Sequence, residues 1–311
     1  MPNWCANRLM FNGIKNSDVL KTWIAGGGLS LHRRAKKRRY PAFSGGQCGH
    51  TAPPDRAALR AIPAAGSSGA AADNRPSVQA YSDWLAMFMA GAVLNVETCL
   101  KLHQCWLDSH IAHARWDTLS EPEQSVIRQL YQQKSCDWGD SFRPAPVDEW
   151  WDSLCDVGSA VPAADPMDFR DVLPTRLDIE VNAFNGGLLT GIPSSYDHYL
   201  KQYGCKWPVG YEANISFAGE NSLTVDFDTP WSPVGEDVVA ELSKLYGGEV
   251  AHWFAEQGCD YCGYARYVNG ETDVYITDEL EWGEADPDDE DSFPDVTGPE
   301  WIINNVAHFG G

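Results

Sequence analysis

Residues 210–278 read GYEANISFAGENSLTVDFDTPWSPVGEDVVAELSKLYGGEVAHWFAEQGCDYCGYARYVNGETDVYITD. Within them, YEANISFAG and SLTVDFD alternate apolar and polar residues, which predicts two strands joined by a tight turn. GEDVVAELSKLYGG changes to a 3.6-residue period and predicts an amphipathic helix with Val238, Val239, Leu242 and Leu245 facing inward. EVAHWFAEQG, YCGYARYVNG and ETDVYITDEL return to period two, as three further strands. Upstream, RLDIEVNAF at 176–184 reads as a strand, and SSYDHYLKQYG at 194–204 as a helix closed by Gly204. The order is strand, helix, strand, strand, helix, strand, strand, strand. That is the split βαβ signature of an α+β, ferredoxin-like antiparallel sheet.

The 311 residues carry 23 Lys and Arg against 44 Asp and Glu, a net charge of −21. The charge is uneven. Residues 1–80 hold 12 Lys and Arg against only Asp18, Asp55 and Asp73, a net +9, so the remainder carries −30. A phosphate backbone is repelled by such a body, so direct nucleic-acid binding is not expected. The hydrophobic fraction of 43% excludes a wholly disordered chain. No long apolar run reads as a membrane span, and the opening lacks the pattern of a secretory signal. Nine irregularly spaced Cys point to a reduced, cytosolic protein.

NWCANRLMFN at 3–12 reads as a short strand ended by Gly13, so residues 1–13 are expected to supply the first strand of the sheet. Residues 14–76 form a basic and Pro/Ala/Gly-rich arm. It contains Arg33, Arg34, Lys36, Lys37, Arg38 and Arg39 and then a linker-like composition. Residues 77–160 read as a long, mainly helical insertion. There Leu85, Met89, Ala92, Val96, Cys99, His103, Trp106, His110 and His113 recur at helical steps, with Gly91 as a weak point. Ser120-Glu121-Pro122-Glu123 is a capping box that opens another helix. The ferredoxin-like domain proper is expected over 175–280 and an acidic tail over 281–311.

The opening MPNWCANRL, the TPWSP at 229–233 and the AEQGCDYCGYARYVNGE hairpin at 255–271 resemble the YubB-type family of plasmid, phage and genomic-island proteins. Members carry a ferredoxin-like domain and commonly a Trp-Gly-Thr-Lys-Trp element before the sheet. Here that element is Tyr203-Gly204-Cys205-Lys206-Trp207, with the first Trp and the Thr replaced. The resemblance covers about 1–13 and 175–280. It implies a mobile-element accessory protein and supplies no catalytic residues. The fold name implies no iron–sulfur cluster.

Catalytic motifs are missing. Gly26-Gly27-Gly28 lacks the Lys-Ser/Thr of a phosphate-binding loop, and no nucleophile elbow occurs. The chain is therefore read as non-enzymatic and cofactor-free. Cys99 and His103, one helical turn apart, are weak metal candidates, because the same stripe serves as core packing. Cys259-Asp-Tyr-Cys262 stands without a second ligand pair and reads as a packed hairpin. The carboxylate run is the stronger signal. Residues 278–291 hold nine Asp and Glu in 14 positions, and 271–311 contain no Lys or Arg. Trp282, Glu284, Asp286, Asp288, Asp289, Glu290, Asp291 and Trp301 are the candidate partner-binding residues. Trp106, Trp150 and Trp151 are further candidates for interface anchors.

The expected function is that of an anti-defence inhibitor. Its acidic surface would bind a host defence protein with a basic DNA-binding face, a nuclease of Gabija or restriction type, and block DNA access. The helical insertion is a candidate for homo-oligomer contacts. One alternative is a nucleic-acid-associated maintenance or transfer factor using the basic arm. Another is a metal-dependent enzyme using the His/Cys face. Zinc assayed after purification without chelator is expected well below one per chain. One tightly held zinc per chain, lost in Cys99→Ala/His103→Ala, would reverse that reading.

Overall fold

The computed structural model describes residues 3–26, 76–109, 113–138, 145–155, 165–186, 189–285 and 294–311. The chain divides into two compact units. One comprises 1–28, 163–173 and 199–311; the other comprises 29–162 and 174–198.

The first unit is built on a six-stranded sheet. Its strands are β1 (Trp4–Asn12), β2 (Tyr211–Ala218), β3 (Ser222–Pro230), β4 (Glu249–Glu256), β5 (Tyr261–Val268) and β6 (Glu271–Asp278). They lie in the order β2-β3-β1-β4-β5-β6, every neighbouring pair antiparallel. The first four reproduce the 4-1-3-2 order of a ferredoxin-like sheet, and β5–β6 extend it as a meander. The N-terminal strand is therefore central, with β3 and β4 on its two flanks.

One face of the sheet presents Leu9, Phe11, Leu223, Val225, Phe227, Val250, Ala265 and Tyr267 to helices. These helices are α1 (Ser17–Ile24), the Tyr199–Tyr203 end of α7 (Ser195–Tyr203) and α8 (Glu236–Tyr246). In α8, Val238, Val239 and Leu242 are buried as expected, but Leu245 is 52% exposed. At 100° per residue Tyr246 lies nearer the centre of the apolar face, and it packs there in place of Leu245.

The expected acidic tail is partly folded. Glu281–Trp282 (β7) pairs with Val296–Gly298 (β8), and Glu300–Ile303 forms a short helix, α9. Ile302 and Val306 pack on Ala255 and Cys262 of the sheet's other face. Beyond them, Gln257 N donates to the Phe309 carbonyl and Gly311 N to that of Trp4, both at 2.9 Å. Backbone pairing ties these residues down despite their acidic surroundings.

The second unit is helical: α2 (Pro76–Met89), α3 (Val96–Asp108), α4 (Glu121–Trp138), α5 (Val147–Cys155) and α6 (Leu177–Asn182), with the start of α7. Its core gathers Trp84, Phe88, Leu102, Trp106, Ile127, Tyr131, Trp150 and Trp151. Half of the capping box forms: Glu123 Oε2 accepts from Ser120 N at 2.8 Å, and also from Ser120 Oγ at 2.7 Å. Two expectations are overturned. RLDIEVNAF is not a strand: residues 177–182 are helical and all six are buried. A helix buried all round has no polar face, so its 3.6-residue period disappears from the sequence. The 77–113 stripe is also not one face, because Gly91 at φ 59° ends α2, and Asn95 caps α3 by accepting from Thr98 N at 2.9 Å. Val96 is consequently 63% exposed, while Cys99 and Trp106 are buried.

Gly204 closes α7 at φ 75°, where an added Cβ would lie 2.7 Å from the Pro233 carbonyl oxygen. Gly204→Ala is expected to cost about 1–3 kcal/mol through both strain and overlap. An unshifted urea midpoint would contradict this close packing of α7 on the β3–α8 turn.

Candidate functional site

The opening of the chain and TPWSP, over 220 residues apart, meet through one buried amide. Asn7 is 2% exposed in β1. Its Nδ2 donates to the Cys5 carbonyl and to Thr229 Oγ1, both at 2.8 Å. Its Oδ1 accepts from Val234 N at 3.2 Å and lies 3.0 Å from His252 Nε2. Thr229 Oγ1 in turn donates to the Ser232 carbonyl at 2.6 Å. All four hydrogen-bonding positions of the amide are filled, as its burial demands. His252 is wholly buried, and burial pushes its pKa down to about 3, so it is the neutral imidazole that completes the network.

This network fixes the turn from β3 into α8, and the turn presents Trp231. Between Pro230 and Ser232, Trp231 is held at φ 73°, a conformation that a bulky side chain rarely adopts. Trp231 N donates to the Asn3 carbonyl at 2.9 Å, and its own carbonyl accepts from Tyr261 Oη at 3.0 Å. The indole is 46% exposed. Lys206 places its ammonium 5.4 Å from the Trp231 ring and 4.3 Å from that of Trp207, which is itself 39% exposed. Tyr211 lies behind, 6.3 Å from Trp207 and 4.8 Å from Trp4 by ring centroids. Opening strand, YGCKW element and TPWSP thus converge on one aromatic cluster holding a cation.

The surrounding groups are not tuned for nucleophilic chemistry. Burial pushes the Cys5 thiol well above its ordinary range, Cys205 up to about 12, and Cys105 and Cys262 up to about 11. The exposed Cys259 is raised by its hydrogen bond to Glu256. A raised thiol is a poor nucleophile. Buried Glu256 is occupied by the β4–β5 turn, accepting from Gly258 N at 2.8 Å and Cys259 N at 2.7 Å. His308 Nε2 lies 2.9 Å from Asp228 Oδ1, and that hydrogen bond raises the His308 pKa.

The residues singled out in the sequence fall elsewhere. Cys99 is in the helical core, donating to the Leu94 carbonyl at 3.5 Å, and His103 stacks on Trp106. Among the described residues no group of three or more His, Cys, Asp or Glu is placed to hold a metal ion, and no helix is long and apolar enough to cross a membrane. Trp106, Trp150 and Trp151 are at most 8% exposed, so they are core residues and not interface anchors. Trp301 packs against the Ile302 cluster. Trp282 is 38% exposed and donates to Asp260 Oδ1 at 2.9 Å, and Glu284 is exposed. The basic arm (Arg33, Arg34, Lys36, Lys37, Arg38, Arg39), His110, and Asp286, Asp288, Asp289, Glu290 and Asp291 lie outside the described residues. Trp207, Trp231 and Lys206 were inside quoted motifs but were not read as a site.

Comparison with known proteins bears on the family and the fold. A family described as "Protein of unknown function (DUF1281)" matches residues 31–207, and a "Ferredoxin-like domain in Api92-like protein" matches 210–297. The chain belongs to the DUF1281 family. It is 53% identical over 146 residues to the uncharacterized protein YubB of Escherichia coli K12, covering 47% of this chain and 99% of YubB. It is 30% identical over 157 residues to YubA of the same organism, covering 50% of this chain and 93% of YubA. The crystal structure of the DUF1281 protein api92 from Yersinia pseudotuberculosis matches with a TM-score of 0.73 at 28% identity. That match covers 91% of this chain and all of api92.

Asn7→Ala removes both halves of the buried amide, stranding Thr229, His252 and the Val234 N–H. A loss of about 2–4 kcal/mol in denaturant unfolding is expected. His252 sets a pH signature. Its folded pKa lies below the unfolded value, so its contribution is intact above about 6.5 and lost as pH falls toward 3. His252→Gln, which keeps a donor for Asn7, is expected to lose less stability than the parent between pH 6.5 and 4. The expected difference is on the order of 3 kcal/mol. Parallel pH profiles would place His252 outside the acid response.

Proposed function

We propose that this DUF1281 chain is a non-enzymatic binding protein of the bacterial cytoplasm, carried by a mobile element. In this reading it docks on a basic, DNA-binding host defence protein such as a nuclease and denies that protein its DNA. The mobile-element setting rests on the resemblance to the YubB-type family.

The observation that carries the docking reading is β6, the edge strand of the sheet. It is exposed along nearly its whole length. Tyr275 and Ile276, 48% and 49% exposed, stand among Glu271, Asp273, Asp278 and Glu279. Carboxylates on an edge prevent indiscriminate strand pairing. Tyr275 and Ile276, neighbours on one strand, point to opposite faces, so each face of this edge presents one exposed apolar side chain close to carboxylates. Arg266 of β5 pairs with Asp273, but Glu271, Asp278 and Glu279 leave the edge net acidic, which speeds encounter with a basic face.

Tagged full-length chain, expressed in a defence-bearing host, is expected to capture a nucleic-acid enzyme and lower its DNA binding, with no mass change on the captured protein. Raising salt from about 50 to 500 mM is expected to weaken capture roughly tenfold or more. Glu271→Gln/Asp278→Asn/Glu279→Gln is expected to slow association. Capture of no nucleic-acid-binding protein, or a covalent change on the captured one, would refute the proposal.

A further inference from the structure

We infer that the slot between Trp207 and Trp231 is a receptor for a cationic side chain, Lys or Arg, of a protein partner, and that Lys206 occupies it as an internal stand-in. This deepens the proposed function and rests on its premise of a basic partner.

Three observations converge on the slot. First, it already holds an ammonium: Lys206 Nζ sits within cation–π range of both indoles, at 4.3 Å and 5.4 Å. Its chemistry is thus demonstrated by the chain's own residue. Second, the walls are costly to maintain. Trp231 combines a left-handed backbone with an indole that is 46% exposed, so a strained residue leaves nearly half of its large apolar surface uncovered. Two backbone hydrogen bonds and flanking Pro230 and Pro233 hold it there. A rigid exposed aromatic loses little freedom on binding, the economy that makes Trp an interface anchor. Third, a carboxylate lies behind the slot. Asp228 stands on β3 opposite Tyr211 by register, and Asp226 further along lies opposite Arg8. Arg8 pairs with Asp226 at 2.6 Å and His308 with Asp228 at 2.9 Å.

A cation is favoured over a stacked nucleobase. A base carries a phosphate toward this carboxylate, whereas a Lys or Arg brings compensating charge. Lys206, tethered beside Trp207, is on a flexible four-carbon stem and can swing to solvent when an incoming cation takes its place.

The test titrates the full chain with a glycine–arginine repeat peptide, and separately with oligo(dT), while following ¹⁵N-indole signals assigned by Trp207→Phe and Trp231→Phe. The peptide is expected to shift the Trp207 and Trp231 indoles. Trp207→Ala, which leaves the strained turn untouched, is expected to weaken binding roughly three- to tenfold. Lys206→Ser is expected to tighten binding by vacating the slot, and that gain is expected to vanish when Trp207→Ala is added. Peptide binding that leaves both indoles and the Trp207→Ala affinity unchanged overturns the slot while the acidic-edge reading stands. Binding abolished by Trp207→Ala but indifferent to Glu271→Gln/Asp278→Asn/Glu279→Gln supports the slot and removes the edge. Shifts produced by oligo(dT) and not by the peptide overturn the cationic assignment.

Discussion

A single side-chain amide, buried in the middle of the sheet, governs how the conspicuous end of this molecule is built. Asn7 joins the first strand to the β3–α8 turn through Thr229 and Val234, and to β4 through His252. Buried polar groups are expensive unless every donor and acceptor is met. Here they are met by groups drawn from three separate stretches of chain. The arrangement tolerates little variation: shifting β1 by one residue would turn Asn7 to the other face and leave each partner stranded. The turn it fixes then has no freedom to relax the backbone of Trp231.

The topology explains how so large a helical block can be accommodated in the sequence. It enters and leaves within the β1-to-β2 crossover, which a split βαβ fold must make in any case. Lengthening a connection costs only logarithmically in closure entropy, so the helical unit adds its own core without a large penalty on the sheet. That core is dense in Trp. Four of the 13 Trp, Trp84, Trp106, Trp150 and Trp151, are buried there.

Legibility followed the asymmetry of each element's surroundings. α8 has one wet and one dry side and α4 opens on a specific terminal signal, while β2 to β6 keep a two-residue period between Gly-marked turns, so their patterns are readable. The 177–182 helix has no wet side, and Leu177, Ile179 and Val181 imitate strand alternation. The break at Gly91 was visible as a weak point, but not its consequence, that Val96 and Cys99 part company. At the site, Asn7, Thr229 and His252 carry no local signal of one another, because their bonds span over 200 positions. Trp207 and Trp231 looked like any other Trp of the chain. What singles them out is exposure, and in the case of Trp231 a left-handed backbone, both of which arise only from tertiary structure.

The central position of β1 has a consequence for synthesis. The strand is made before the rest of its sheet, and both its neighbours, 222–230 and 249–256, come more than 200 residues later. At ~5–20 residues per second, an apolar strand bearing Leu9 and Phe11 leaves the ribosome roughly 10–50 seconds before its flanks exist. The nascent chain must therefore be kept from pairing β1 with whatever lies nearby. The helical block, rich in local contacts, is the part able to fold first, with the sheet closing around the oldest strand last.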